Sequence, residues 1–517
     1  MTRETLAKKE LREVIVIVLL FTVSLTTALF FRALTLTTWD AVQFALALEN
    51  YNVALHRPHP PGYVAWVALL KLFSLVFDAN LASIIINAIL EGFVAYIMYR
   101  ILREIFRVRK SISVLAALSW LLNPISWYYR ATAENYASGA FFTITILYLV
   151  LLFMEDGDMK KALVASFLLG FSGGFRIEIP VFLLPVAAYA IIYRLKRELN
   201  KRTLLSLIIL YAVGIAAWLI PQALLCGNLI NWLNVTLKQF SSAFSKTVLG
   251  LAPTYVVAKN FVKNLEVLIG GNSLNILSIP VVIAYIISVK RIIKYVSKHV
   301  CLMIATVLIF SAFTTFIHFG KTGYLLPATA VLSTILIWFA TVIFKRIKIL
   351  LILALVLNCF IFIYGVPKQE LAKMPSLQRA ALYFLGTSCT FNEIRERDLA
   401  VFKFIEVIQD FNPNNTAIIV FYPCRAINWR KVMYYAPQYI AVFYKTPTGE
   451  KLVAQYRTSL NITNVENKIL HSSLVITSLN LPYRVISRLG SDTYIYEIKC
   501  TNLSNCLSLV EKIVMVG

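Results

Sequence analysis

Charged residues are scarce in this chain: 15% of 517, where a soluble protein of this length carries about a quarter. That scarcity, beside 59% hydrophobic residues, excludes an ordinary soluble globule. Acids are scarcer still, 26 against 50 Lys and Arg, which leaves a net charge of +24. The excess is not gathered on one face, as a nucleic-acid partner would need. It sits in small clusters of Lys and Arg at the ends of apolar runs, the pattern of inner loops between membrane spans. There is no P-loop, no H-E-x-x-H and no G-x-G-x-x-G. Their absence excludes the usual NTP cradle, the zincin metal pair and the dinucleotide fingerprint. No A-x-A-type cleavage site follows the first apolar stretch, 13–34, which is longer than the roughly 7–15-residue core of a signal peptide. It reads as an anchor that stays.

What is present is a series of apolar runs of roughly 16–22 residues, matching the ~20 needed to cross a bilayer as a helix. Lipid cannot satisfy backbone polar groups, so helices are the default for such runs. The basic clusters mark the inside: Arg3/Lys8/Lys9/Arg12, Arg100–Lys110, Lys160/Lys161, Arg194–Arg202, Lys290–Lys298 and Lys345–Lys348. Spans compatible with all of them are 13–34, 80–100, 112–126, 137–153, 161–175, 177–193, 203–223, 273–290, 299–317, 325–344 and 349–365. The expectation is therefore an all-α bundle of about eleven spans in the cell membrane, N-terminus in the cytoplasm and C-terminus outside. The apolar run 63–77 would reverse every later cluster if it crossed. It is read as an outer interfacial segment with Lys71 snorkelling.

Beyond Gly365 the composition changes. A helical stretch near 395–410 and β-rich runs at 416–423, 439–444, 473–479 and 493–498 predict a small extracytoplasmic α/β domain over 366–517. It holds Cys389, Cys424, Cys500 and Cys506. Outside the membrane cysteines pair, and Cys500–Cys506 would close a small loop; free thiols are the alternative. Sequons begin at Asn234, Asn414, Asn461 and Asn502, all in segments placed outside, which fits an organism that N-glycosylates, such as an archaeon.

Polar residues collect on that outer side. The first outer loop, 35–79, carries a helix predicted over 39–50 with Asp40, Gln43, Ala47 and Asn50 along one stripe. Asp40-x-x-Gln43 is either a capping box or the seat of a catalytic acid. His56, Arg57 and His59 follow among Pro58, Pro60 and Pro61, which stiffen the loop. Arg130 and Glu134 stand four apart, as a helix-surface ion pair would. Arg176 and Glu178 lie at a helix junction, and His318, Lys321 and Tyr324 at another. Few acids among several cations suit a phosphate-bearing substrate. Glu91, mid-span with Asn80, Ser83 and Asn87 on its stripe, should face the bundle interior and hydrogen-bond a neighbouring helix. Asp156-Gly157-Asp158 has a D-x-D form but reads as a solvated inner turn.

These outer segments resemble the GT-C superfamily of polytopic glycosyltransferases that use polyprenyl-phosphate sugars. Trp39-Asp40-Ala41-Val42-Gln43-Phe44 and His59-Pro60-Pro61-Gly62-Tyr63-Val64 resemble the W-D-S-G-E-F and H-P-P-G-Y-P of one bacterial branch, with Gln43 where that branch has an acid. The protein O-mannosyltransferases and the lipid A aminoarabinose transferase share that layout of an acid after the first span, then a proline-rich turn and an interfacial helix, and Asn123-Pro124, Arg130 and Glu134 resemble the family's second acidic loop. Lys321-Thr322-Gly323-Tyr324-Leu325-Leu326-Pro327 resembles a late G-x-x-G-Y-L-L-P-like stretch. The likeness covers about residues 10–365, so the expected division is a membrane domain over 1–365 and an outer domain over 366–517. It implies an inverting transferase with Asp40 as the base and Glu134 as a second acid. Arg176, Lys321, Arg130 and His59 would hold the donor phosphate. Gln43, His56 and Tyr324 would contact sugar or acceptor. The partners implied are the bilayer, a polyprenyl-phosphate sugar and an acceptor protein, lipid or glycan. No cofactor is expected; a divalent ion bridging Asp40, His59 and Glu134 is the metal alternative. A transporter or lipid-linked sugar flippase explains the spans as well, but not the outer α/β domain, and no internal repeat is visible.

Overall fold

The computed structural model describes residues 3–195, 201–244, 254–288, 297–317, 321–366, 374–375, 378, 389–421, 426–444, 451–455, 458–459, 472–477, 484–489, 493–502 and 505. The chain divides into two compact units. One holds Met1–Arg32 and Asn52–Asn392, the other Ala33–Tyr51 and Glu393–Gly517. The helix with Asp40 is grouped with Glu393–Gly517.

In the first unit, helices α1 (Arg3–Phe30), α2 (Val64–Phe73), α3 (Ala79–Arg100), α4 (Lys110–Leu121), α5 (Pro124–Arg130), α6 (Tyr136–Asp156), α7 (Met159–Phe171), α8 (Glu178–Leu195) and α9 (Lys201–Leu225) follow one another. Then come α10 (Leu229–Phe244), α11 (Thr254–Gly270), α12 (Ser278–Ile287), α13 (Lys298–Phe316), α14 (Leu326–Ile343) and α15 (Ile347–Tyr364). Each predicted span overlaps at least one of these helices, and 112–126 is broken across two of them. Among the described residues, however, only seven helices are long and apolar enough to cross a bilayer, or eight if the pair Tyr255–Gly270 and Asn275–Ile287, bent by 94°, counts as one. The shortfall from eleven falls on α4, α7 and α8, and also on α12 unless the bent pair is counted. Twelve residues in α4 and 13 in α7 rise only ~18–20 Å against a ~30 Å hydrocarbon core. The ten residues of α2 are likewise too short to cross, at ~15 Å. Residues 224–272, left as an outer connection by the sequence reading, contain α10 and α11.

Packing in this unit uses small residues and internal hydrogen bonds. A Cβ on Gly170 would collide with the backbone of α9, and one on Gly214 with that of α7, so these two glycines let the two helices touch. Glu91 is fully buried and accepts from Trp120 Nε1 (2.8 Å) and Ser126 Oγ (3.0 Å), tying α3 to α4 and α5. Asp158 caps α7 by accepting from Lys160 N, Gly157 takes a left-handed conformation and Asp156 pairs with Lys161, so the D-x-D is a turn as read.

The second unit is built on a seven-stranded sheet: β1 (Thr416–Phe421), β2 (Ile440–Tyr444), β3 (Lys451–Gln455), β4 (Thr458–Ser459), β5 (Ser472–Thr477), β6 (Val485–Leu489) and β7 (Thr493–Lys499), in the order β4-β3-β2-β1-β5-β7-β6. The centre is parallel, with Ile419 opposite Val442 and Val475, and the flanks are antiparallel. Helix α16 (Phe391–Gln409) lays Val401, Phe404 and Ile408, spaced three and four apart, on Ile418, Val420, Leu474 and Ile476. Helix α17 (Trp429–Tyr435) joins β1 to β2. Cys500 is disulfide-bonded; Cys424, Cys506 and Asn461 lie outside the described residues, and Cys389 is a buried free thiol.

Candidate functional site

In the membrane unit, two acid–cation pairs stand around two tyrosines. Lys321 Nζ is 2.9 Å from Glu134 Oε2, the carboxylate buried and the ammonium a third exposed. Arg176 Nε is 2.5 Å from Glu178 Oε1, and its Nη1 donates to Asn135 Oδ1 at 2.8 Å. The guanidinium lies over the rings of Tyr136 (4.2 Å) and Tyr324 (4.8 Å), whose centroids are 5.4 Å apart. Among the described residues Arg176 Nη2 has no hydrogen-bond partner.

Local structure places each of these groups. Asn123 caps α5 by accepting from Ile125 N, with Pro124 in the first turn, so the Asn-Pro of the motif is a helix start. Asn87 Nδ2 donates to the carbonyls of Thr132 (3.0 Å) and Glu134 (2.5 Å) and holds the turn after α5. Tyr129 OH accepts from Gly323 N (2.8 Å) and meets Thr322 Oγ1 (2.7 Å), which anchors the loop of Lys321. A Cβ on Gly323 would overlap the Tyr136 ring. His318 lies outside the described residues.

Arg130, assigned by the sequence to the donor phosphate, is held by the bundle interior. It ends α5, is fully buried, and its Nη2 donates to Thr27 Oγ1 (2.8 Å) and Leu121 O (2.7 Å), with Glu91 as its electrostatic partner. Glu134 pairs with Lys321 instead, because the helix stops at Arg130 and an i,i+4 pair has no helix to form on. In the proline-rich loop, the backbones of Asn52 and Arg57 bond each other in both directions, and Trp232 Nε1 of α10 donates to Pro61 O at 2.6 Å. The His59 ring is 4.8 Å from that of Tyr63, which lies within electrostatic reach of Arg176. His56 is partly buried, in a left-handed conformation.

Asp40 and Gln43 lie in the second unit, on α18 (Trp39–Glu49; the label follows α17 although the helix precedes it in the chain). The N-cap of this helix is Thr38, whose Oγ1 accepts from Ala41 N. The capping-box reading of Asp40 therefore fails: the cap falls two residues earlier, and Asp40 is left in the first turn. Gln43 is fully buried. The strand-like lead into α18 is tied down by side chains of the sheet unit. Asp398 accepts from Leu34 N (2.9 Å), Thr35 N (2.9 Å) and Thr35 Oγ1 (2.8 Å), and Tyr435 OH accepts from Leu36 N (2.7 Å). Helix α17 packs against α18. From it Arg430 places its guanidinium over the rings of Trp39 (5.0 Å) and Trp429 (5.3 Å), and its charge is met by Asp40. Burial lowers the Arg430 pKa to about 10, with Asp40 opposing the shift. Sequence reading missed Arg430, which lies nearly 400 residues from Asp40, and Asn135 and Tyr136, which directly follow Glu134.

A family model described as dolichyl-phosphate-mannose-protein mannosyltransferase matches residues 58–220. The structure is similar to that of ArnT from Cupriavidus metallidurans bound to undecaprenyl phosphate, with a TM-score of 0.55 and 11% identity over 94% of this chain and 97% of that one. This chain has the fold of that ArnT. The apo state of the same ArnT gives a TM-score of 0.52 and 10% identity over 95% and 98%. No curated protein matches the chain by sequence. The chain is a multi-pass membrane protein, as its long apolar helices require.

Proposed function

We propose that the protein is an inverting glycosyltransferase that moves a sugar from a polyprenyl or dolichyl phosphate to an acceptor hydroxyl at the outer membrane face. One observation carries the reading: the segment matched by the mannosyltransferase model, 58–220, contains both Glu134 and Arg176, two members of the charged cluster around Tyr136. The acceptor oxygen attacks C1 of the sugar from the face opposite the phosphate. The C1–O bond breaks and its electron pair leaves on the phosphate, while Asp40 takes the hydroxyl proton. A phosphate leaves unprotonated, since its second pKa is ~6, so one carboxylate serves where a glycosidase uses two. Arg176, through its Nη2, and Lys321 meet the charge the phosphate gains. Glu134 aims Lys321, and His59 stands as a further phosphate contact. Tyr324, His56 and Gln43 are assigned to sugar or acceptor. The scheme calls on no metal ion.

The direct test is purified full-length protein in nanodiscs with radiolabelled dolichyl-phosphate mannose and undecaprenyl-phosphate pentose. Label appearing on a hydroxyl acceptor with inverted anomeric configuration is the expected result. Movement of intact lipid across a liposome bilayer without transfer would make the protein a flippase.

Two further outcomes follow from the same reading. The reading places the N-terminus in the cytoplasm and residues 366–517 outside. Single cysteines at Leu55 and Lys403, both exposed positions, should then react with an impermeant maleimide from outside intact cells, and one at Lys160 should not. Labelling at 160 would invert the topology. Gly323→Ala should push the Tyr136 ring off Arg176 and lower turnover by roughly tenfold or more, the scale on which ångström misplacement acts. Unchanged turnover would mean that the tyrosine pair does not shape the site.

A further inference from the structure

The sheet unit carries more than a fold. Asp40 lies in the first turn of α18, where the helix dipole favours a negative charge. The N-cap of the helix is Thr38, two residues before Asp40. The charge that faces it comes from the far end of the chain. Arg430 leaves the start of α17, and that start is itself locked. Asn428 Oδ1 accepts from Arg430 N and Lys431 N, both at 3.1 Å, and Trp429 stacks on Phe443 of β2 at 5.7 Å. The guanidinium then lies over Trp429 and over Trp39, the residue next to Asp40. A planar cation held over two rings has little freedom to turn, and a carboxylate paired with it shares that constraint.

We propose that Arg430 is a positioning residue for Asp40. It holds the carboxylate in the orientation from which it accepts the proton. The inference rests on Asp40 being the base. A carboxylate without this partner would sample other rotamers, and proton transfer would lose its alignment while donor binding stayed intact. An ion pair that only stabilised the fold would behave differently: its removal would lower the melting temperature and leave the turnover of folded protein alone.

The test uses full-length protein in nanodiscs, dolichyl-phosphate-linked radiolabelled mannose as donor for kcat, and dolichyl phosphate alone for binding by melting-temperature shift. Arg430→Gln, which keeps packing and hydrogen-bond donors without the charge, should lower kcat ~10- to 100-fold with the dolichyl phosphate shift unchanged. Arg430→Lys should recover part of the loss. In an Asp40→Asn background, Arg430→Gln should cost less than about twofold, because the group it acts through is already gone. Normal kcat in Arg430→Gln overturns the proposal. So does an equal loss in both backgrounds, or a lost dolichyl phosphate shift, which would move Arg430 to the donor site. Wild-type turnover in Asp40→Asn itself would overturn the assignment of the base and this inference with it. An inactive Asp40→Asn beside a normal Arg430→Gln overturns the inference alone.

Discussion

Asp40→Asn is expected to fold, to bind dolichyl phosphate as the wild type does, and to transfer sugar at least ~100-fold more slowly. Thr38 is the N-cap of the helix, so replacing Asp40 leaves the Thr38–Ala41 cap bond in place. What the change removes is a lone pair that can take a proton near neutral pH. The amide is the same size and cannot supply one. General-base catalysis is worth ~10²–10⁴-fold, which sets the scale of the loss. The structural effect is smaller: a negative charge in the first turn contributes ~0.3–1 kcal/mol through the helix dipole, and the attraction to Arg430 is lost with it. Single-turnover transfer, measured beside the melting temperature, separates the two. Wild-type turnover would move the base to Glu134.

Arg176→Ala should lower kcat/KM for the lipid donor by ~10²–10³-fold, the range for removing one preorganised donor to a developing oxyanion. The guanidinium is buried, stacked on Tyr136 and Tyr324, and bonded to Glu178 and Asn135, so a phosphate would meet a group that is already aimed. Arg176→Lys keeps the charge but loses the planar fork, and should fall between wild type and alanine. Truncation also leaves Glu178 without its partner, so the comparison includes Arg176→Ala/Glu178→Gln, which removes both charges. The loss should persist in the double variant. Recovery there would show that the alanine effect came from an unpaired acid, and the phosphate site would have to lie elsewhere.

The membrane unit was legible because its code is coarse. A helix in lipid must satisfy its own backbone, so apolar runs and basic ends mark it without long-range information. The short run 63–77 was placed out of the span count because crossing would reverse every later basic cluster, and the helix there has ten residues. The central strands β1, β2, β5 and β7 were read from their β-branched runs. Strands β3, β4 and β6, of sequence KLVAQ, TS and VISRL, were not, because they are short and mix polar residues among their apolar ones. The bent pair of helices between 255 and 287 was missed in part because α11 is amphipathic rather than uniformly apolar.

By itself, the sequence determined the membrane helices, the change of composition after Gly365, and the residues from which a phosphate site could be assembled. Those features depend on hydropathy, charge and local backbone preference, which act over one or a few turns. Tertiary structure alone decided the partners: Glu134 with Lys321 rather than Arg130, Arg130 with Glu91, Arg176 over Tyr136 and Tyr324, and Asp40 with Arg430. Each of those pairs except Glu134–Lys321 and Asp40–Arg430 joins groups less than about 150 residues apart, and those two span far more. At any such separation the pairing depends on which helices pack together, and a charge carries no label for its partner. Buried charge is costly unless it is met, so folding selects the pairs only once the packing exists.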